Sequence, residues 1–264
     1  MPIAVSDPDD PRIEAYRAVR ERDLVGRRHR FVAEGEVVLR VLLQQSRFRI
    51  ESLLLAEGRL DGLSDALALV PPEVPVYAAN RAVMDAIVGF PIHRGILAMA
   101  ERAPMPAAEE LLSGLPENAL VVGLVGLANH DNVGGILRNA AAFGANAVLL
   151  DPETCDPLYR KAVRVSVGGA LVVPFTRVSS AETMVQALQA AAFEVIALSP
   201  SGREILSHVR PARRTAVLLG AEGPGLPPDL LARTRTVSIP MSGGFDSLNV
   251  ATTSGIVLHH LRTA

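Results

Sequence analysis

The run Ala119-Leu-Val-Val-Gly-Leu-Val-Gly-Leu127 leads directly into Ala128-Asn-His-Asp-Asn132-Val-Gly-Gly-Ile-Leu-Arg138-Asn-Ala140-Ala-Ala-Phe143. The first stretch is almost continuously apolar, as a strand must be when both faces of its sheet are covered. The second carries a helix over Val133–Phe143 whose start is marked by polar capping residues, Asp131 or Asn132. A buried strand followed at once by a helix is half of a parallel crossover unit, and such units put ligands at the carboxyl ends of their strands.

The same alternation continues to the end of the chain. Strands are expected at Ala147–Leu150, Leu171–Phe175, Glu194–Leu198, Thr215–Leu219 and Thr236–Ile239. Helices are expected at Leu158–Val167, Ala181–Ala192, Pro228–Arg233 and Leu248–Leu261. The fold class is α/β with a mostly parallel sheet. Upstream, Ala103–Pro116 opens on a Pro/Ala-rich stretch that reads as a connection. The organisation expected is therefore a smaller α/β domain over 1–103, a linker over 104–118 and a larger domain over 119–264. In the first domain a charged helix-like stretch, Asp10–Val25, precedes strands at Phe31–Ala33, Ile50–Leu55, Val74–Ala78 and Ile96–Ala100. Helices are expected over Glu34–Gln45 and Leu63–Val70, and a third, capped by Asn80, runs to about Val88.

Composition limits the function classes. The chain has 264 residues, 49% of them hydrophobic and 20% charged, which permits large cores and argues against wholesale disorder. No apolar run reaches the roughly 20 residues of a membrane helix, and the beginning, acidic and then Arg-rich, has no secretory h-region. A cytoplasmic location is expected. Cys155 is the only cysteine, which excludes an internal disulfide and any multi-cysteine zinc site. The six histidines show no ligand spacing; His259 and His260 fit a helix end, where cations suit the dipole. Net charge is −2, so any contact with nucleic acid must come from local patches. Lys161 is the only lysine, and an arginine-rich composition bias accounts for that most simply. Basic candidates are Arg17, Arg20, Arg22, Arg27, Arg28 and Arg30, interleaved with Glu14, Glu21 and Asp23, together with Arg160, Lys161 and Arg164.

Three loops at strand ends carry the chemistry. In the first, Gly134 and Gly135 allow close approach, and Arg138 lies about one turn into the helix, where it can face an anion. The second is Leu219-Gly-Ala-Glu222-Gly-Pro-Gly-Leu-Pro-Pro228, a glycine-rich turn that holds an acid. It lacks the Gly-Lys-Ser/Thr ending of a phosphate loop and the spacing of a dinucleotide fingerprint. The third is Ile239-Pro-Met241-Ser-Gly-Gly-Phe-Asp-Ser247-Leu-Asn249-Val250, a strand end feeding an apolar helix, with Ser247 a fitting N-cap.

In this order the loops resemble the three motifs of the SpoU/TrmH family, within the SPOUT superfamily of knotted methyltransferases. They are Asn132-Val-Gly-Gly-Ile-Leu-Arg138-Asn-Ala140, Gly220-Ala-Glu222-Gly-Pro-Gly225-Leu226 and Ile239-Pro-Met-Ser-Gly-Gly-Phe-Asp-Ser247-Leu-Asn249-Val250. Ala251-Thr252-Thr253 departs from the usual Ser-Val-Ala that follows. More loosely, Arg30-Phe-Val-Ala-Glu34-Gly35-Glu36 and His93-Arg94-Gly95-Ile96-Leu97-Ala98 resemble stretches of that family's N-terminal RNA substrate-binding domain, which has a ribosomal-protein-L30e-like fold.

The resemblance implies a trefoil-knotted C-terminal domain, a homodimer formed through it, and transfer of a methyl group from S-adenosylmethionine to a ribose 2′-hydroxyl of RNA, with S-adenosylhomocysteine as product and no metal. It implies that backbone groups near Gly220, Ile239 and Leu248, with Met241, hold the donor. It implies catalytic or positioning roles for Arg138, Asn132, Glu222, Ser247 and Asn249, with Glu222 able to orient Arg138. A separate N-terminal domain favours ribosomal over transfer RNA. Transfer-RNA methylation, base methylation and a non-catalytic RNA-binding or ribosome-assembly role stay open.

Overall fold

The computed structural model describes residues 1–17, 25, 29–88, 95–243 and 247–264. By its contacts the chain divides into two units, Met1–Pro104 with Leu158–Val172, and Met105–Pro157 with Val173–Ala264.

The first unit contains β1 (Ile3–Val5), β2 (Arg30–Glu34), α1 (Glu36–Gln44), β3 (Ile50–Ala56), α2 (Ser64–Leu67), β4 (Val76–Ala79), α3 (Arg81–Val88) and β5 (Ile96–Glu101). Its strands form one mixed sheet in the order β1-β4-β3-β5-β2. β1, β4 and β3 run parallel, and β5 runs antiparallel to both β3 and β2. Asn80 caps the helix that follows it, its Oδ1 accepting from the Val83 N–H at 3.0 Å. Ile13, Tyr16, Leu54, Met84, Leu97 and Met99 belong to one buried cluster. The Tyr16 hydroxyl reaches the Ser52 carbonyl at 2.9 Å, so its polar end is satisfied.

Two expectations change here. Asp10–Val25 begins as a 3-10 helix over Pro11–Tyr16 that Pro11 favours and Asp10 caps, and residues 18–24 and 26–28 lie outside the described residues. The basic candidates Arg20, Arg22, Arg27 and Arg28 fall there, as do the acidic Glu21 and Asp23. So do His93 and Arg94, within 89–94, and Gly244, Phe245 and Asp246. The helix expected over Leu63–Val70 is α-helical only over Ser64–Leu67 and continues a 3-10 turn over Asp61–Leu63.

The second unit opens with α4 (Ala108–Ser113), β6 (Ala119–Val125), α5 (His130–Ala142) and β7 (Ala147–Leu150). The next segment, Leu158–Val172, belongs with the first unit. It carries α6 (Arg160–Val165) and α7 (Gly169–Val172), and Arg160 and Arg164 face the buried Glu34 carboxylate at 3.7 and 3.5 Å. The second unit resumes with β8 (Phe175–Arg177), α8 (Ala181–Ala190), β9 (Glu194–Leu198), β10 (Glu204–Ile205), β11 (Arg214–Gly220), α9 (Pro228–Ala232), β12 (Arg235–Ser238) and α10 (Val250–Thr263). Its seven strands are all parallel, in the order β10-β12-β9-β11-β6-β7-β8.

The strand expected at Leu171–Phe175 is a correction. Val167 and Gly168 both take positive φ and reverse the chain, and the Ser166 hydroxyl accepts from the Ala170 N–H. A short helix therefore buries Ala170 and Leu171, and extended structure starts only after Pro174. An apolar run of that length fits either a buried strand or a buried helix, and only the turn before it decides.

Candidate active site

The order of the sheet brings the motif loops together. β11 lies between β9 and β6, and its last residue, Gly220, pairs in register with Val125, the last of β6. The loops leaving β6, β9, β11 and β12 therefore share one edge of the sheet, its carboxyl end. A cavity of about 540 Å³ opens there, a size suited to a nucleoside-sized ligand.

Its floor is the glycine-rich turn after β11. The chain doubles back so that the Gly225 N–H donates to the Ala221 carbonyl at 3.0 Å. A Cβ at Gly220 would lie 2.6 Å from the Leu226 amide nitrogen and closer still to the Gly225 carbonyl carbon, contacts with backbone that no rotamer can relieve. Glu222 sits on this turn, exposed, and is the only charged residue among the described residues that line the cavity. Ile239 and Met241 line it from the loop after β12, and Ser247, Leu248 and Asn249 from the approach to α10.

Asn249, not Ser247, caps α10. Its Oδ1 accepts from the N–H groups of Ala251 and Thr252 at 3.0 and 3.2 Å. Its Nδ2 donates to Asn132 Oδ1 at 2.9 Å and to Glu222 Oε1 at 3.0 Å. This amide thus links one residue from each of the three motif loops. α5 likewise starts earlier than expected: Asn129 caps it, accepting from the Asp131 N–H at 2.8 Å. Moving the cap to Asn129 leaves Asn132, only 5% exposed, free to turn its side chain to Asn249.

Behind the loop after β6 sits a buried acid, Asp151. Its carboxylate accepts from the Gly126 N–H at 3.0 Å and from the Thr154 hydroxyl at 2.6 Å, and Arg177 binds the carbonyls of Asp151 and Thr154. Cys155 follows, and burial pushes its thiol up to about 12.

Arg138 behaves differently. It lies more than two turns into α5 rather than one, is exposed, and makes no hydrogen bond or ion pair among the described residues. The expected pairing with Glu222 is absent; that carboxylate accepts instead from Asn249, through Oε1. Arg138 and Asn132 lie outside the cavity lining, whereas Gly220, Glu222, Ile239, Met241, Ser247, Leu248 and Asn249 are in it. Leu198, the last residue of β9, and Ser199 and Pro200 after it also line the cavity, and none of the three motifs includes them. Their signal was available: Ser199-Pro200-Ser201-Gly202 is a turn cluster at the carboxyl end of a parallel strand.

A parallel sheet with a ligand-sized cavity at its carboxyl edge defines an α/β protein built to bind a small molecule there. Residues 119–259 match the SpoU rRNA Methylase family, and the chain belongs to that family of RNA methyltransferases. An uncharacterized tRNA/rRNA methyltransferase of Mycobacterium bovis is 39% identical, covering 97% of this chain and 90% of the relative. The 23S rRNA (guanosine-2′-O-)-methyltransferase RlmB of Pseudomonas putida is 30% identical, covering 85% of this chain and 92% of the relative. Among solved structures, the AdoMet-bound rRNA methyltransferase of Sinorhizobium meliloti shares the fold with a TM-score of 0.82 at 24% identity, covering 98% of this chain and 97% of that one. The SpoU methyltransferase AviRb of Streptomyces viridochromogenes, in complex with AdoMet, has a TM-score of 0.80 at 21% identity, covering 96% and 97%.

Proposed function

We propose that this chain transfers the methyl group of S-adenosylmethionine to a ribose 2′-hydroxyl of RNA, with ribosomal RNA as the substrate class. The observation that carries the reading is the Asn132–Asn249–Glu222 cluster at the cavity, with Arg138 unpaired on the helix that bears Asn132. The named activity of the RlmB relative and the AdoMet complexes of the two structural neighbours support it.

The cavity fits the donor. Its walls are largely apolar, and Gly220, Ile239, Met241 and Leu248 offer backbone groups and hydrophobic contact of the kind that holds an adenosine moiety. The donor supplies an electrophilic methyl group with its own leaving group. The chain's residues must place the 2′-oxygen in line, receive its proton and hold the adjoining phosphate. Arg138 is a poor base, because a guanidinium offers N–H donors and no acceptor. Its role is to bind phosphate and stabilise negative charge building on the oxygen. Glu222 is the group in the cavity able to accept the proton, with Asn249 fixing the orientation of its carboxylate. Ser247 and Asn132 position the ribose.

Within this reading the first unit binds RNA as an L30e-like domain. The second dimerises through a knotted C-terminal segment, a state that light scattering measures directly.

The test is transfer of labelled methyl into purified ribosomal and transfer RNA, followed by nucleoside analysis. A 2′-O-methylnucleoside from ribosomal RNA is the expected result. A base-methylated product overturns the ribose assignment, and label in transfer RNA alone overturns the substrate class. Donor binding without transfer to either pool would point to an assembly intermediate as substrate; absence of donor binding would leave an RNA-binding protein.

A further inference from the structure

We propose that Asn139 is a positioning residue for methyl transfer: by holding the first turn of α10 against α5, it fixes where Asn249 presents Glu222 and Asn132. This rests on the function proposed above and adds a residue outside the cavity to it.

Asn249 has its hydrogen-bonding capacity filled. A primary amide has two donor hydrogens and one oxygen with two lone pairs. Both donors are used, on Asn132 and Glu222, and both lone pairs, by the N–H groups of Ala251 and Thr252. Asn249 therefore has no remaining group for substrate and acts through its placement. That placement is the position of α10's first turn.

Asn139 grips that turn. Its Nδ2 donates to the Ala251 carbonyl at 2.7 Å and to Ser254 Oγ at 2.9 Å, and the Ser254 hydroxyl donates to the same carbonyl at 2.7 Å. Ala251 is thus held at its carbonyl by Asn139 and at its N–H by Asn249. Two hydrogen bonds through one residue connect the middle of α5 to the centre of the site. Asn132, Gly135 and Asn139 recur at i, i+3 and i+7, so they share the face of α5 turned to α10. Close approach makes the grip specific. A Cβ at Gly135 would lie 2.7 Å from the Ala251 Cβ, and one at Gly255 3.2 Å from Asn139 Nδ2. Ser254 is 1% exposed, so the carbonyl and hydroxyl on this seam have no easy access to water if Asn139 is removed.

The experiment is a double-mutant cycle on Asn139→Ala and Asn249→Ala in the full chain, read as kcat and KM for methyl transfer to RNA, together with amide hydrogen exchange at Ala251 and Thr252. Asn139→Ala is expected to lower kcat about tenfold while RNA KM moves less than about threefold. Acting through Asn249, it should cost less than about twofold when Asn249→Ala is already present. Exchange at Ala251 and Thr252 should rise in Asn139→Ala. Asn139→Asp keeps the size but loses the donor, and should reproduce both effects if the alanine variant folds poorly. Losses that multiply in the cycle, or exchange that stays at the wild-type rate, overturn the proposal. If the wild-type chain makes no 2′-O-methylnucleoside, the functional reading fails, and hydrogen exchange still decides the role of Asn139 in holding the turn.

Discussion

Arg138 and Asn249 belong to the first and the third of the motif loops, yet their surroundings assign them opposite kinds of work. Asn249 is fully bonded within the chain, and Arg138 has no bonded partner among the described residues. An exposed, unpaired guanidinium on the helix that bears Asn132 is available for an RNA phosphate, and Arg138→Ala should lower kcat about a hundredfold. Because Arg138 is outside the cavity lining, donor affinity measured by calorimetry should hold within about twofold. A matching loss of donor affinity would put Arg138 in the binding machinery instead. Asn249→Ala differs in also removing an N-cap, so about 1 kcal/mol of stability should go with its activity; a thermal melt separates the two losses. At this scale the sequence singled out Asn132, Glu222 and Asn249, which the structure brings together, but not the bonds each of them makes. Asn129, Asp131, Asn132, Ser247 and Asn249 can all cap a helix, and which of them does so depends on where the chain leaves its strand. That is set by sheet register and is invisible in local residue type.

Between residues and fold, the element that decides the cavity is the turn from Gly220 to Leu226. Its close approach is backbone to backbone, so Gly220→Ala must shift the turn. An overpacking cost of about 1–3 kcal/mol is expected. Since the turn is also the cavity floor, donor affinity should fall by tenfold or more, in the same variant whose melting point drops. Unchanged donor binding would show that the turn is not part of the donor site. The glycines here, and the strand before them, could be read directly, because three glycines spaced Gly-x-x-Gly-x-Gly after a buried strand force a tight turn. Leu171–Phe175 could not, since a short apolar run carries no period of its own and the reversal at Val167 and Gly168 decided for helix. Ile3–Val5 and Glu204–Ile205 escaped for a related reason: strands of two or three residues at sheet edges leave almost no pattern to find.

Across the whole molecule, charge has to be organised locally, because the net charge is only −2. Much of it is committed to exposed pairs. Asp10 is held down at about 2 by Arg12, and Asp65, Glu101 and Glu204 are lowered by Arg40, Arg49 and Arg235. A carboxylate whose folded pKa is depressed contributes stability above its unfolded pKa and loses it as pH falls through the folded value. Melting temperature should therefore decline from about pH 5 towards pH 2, and about 0.5 M salt should flatten the decline, because each of these pairs has a solvent-accessible member. An acid limb indifferent to salt would assign it to buried groups instead. Cys155 tests the opposite case. With its thiol raised to about 12 by burial, it should react slowly with a thiol reagent at pH 8 and quickly once the chain is unfolded.

An almost neutral chain must hold RNA through particular cations, and most of the candidates among the described residues are already engaged. Arg17 and Arg30, two of the basic candidates among the described residues, are paired with Asp9 and Glu51, and Arg160 and Arg164 face Glu34. Arg138, Arg210 and Arg262 are exposed and carry no such pairing among the described residues. Each unpaired cation that meets a phosphate releases counterion, so the slope of log affinity against log salt counts them, at about 0.7–0.9 per contact. Arg138→Ala should therefore reduce that slope by about one, while Arg12→Ala, which removes a cation already neutralised by Asp10, should leave it where it was. If Arg12→Ala lowers the slope as much as Arg138→Ala does, pairing in the free protein is no guide to the RNA footprint. In that case the footprint has to be sought among paired arginines that exchange their carboxylates for phosphate.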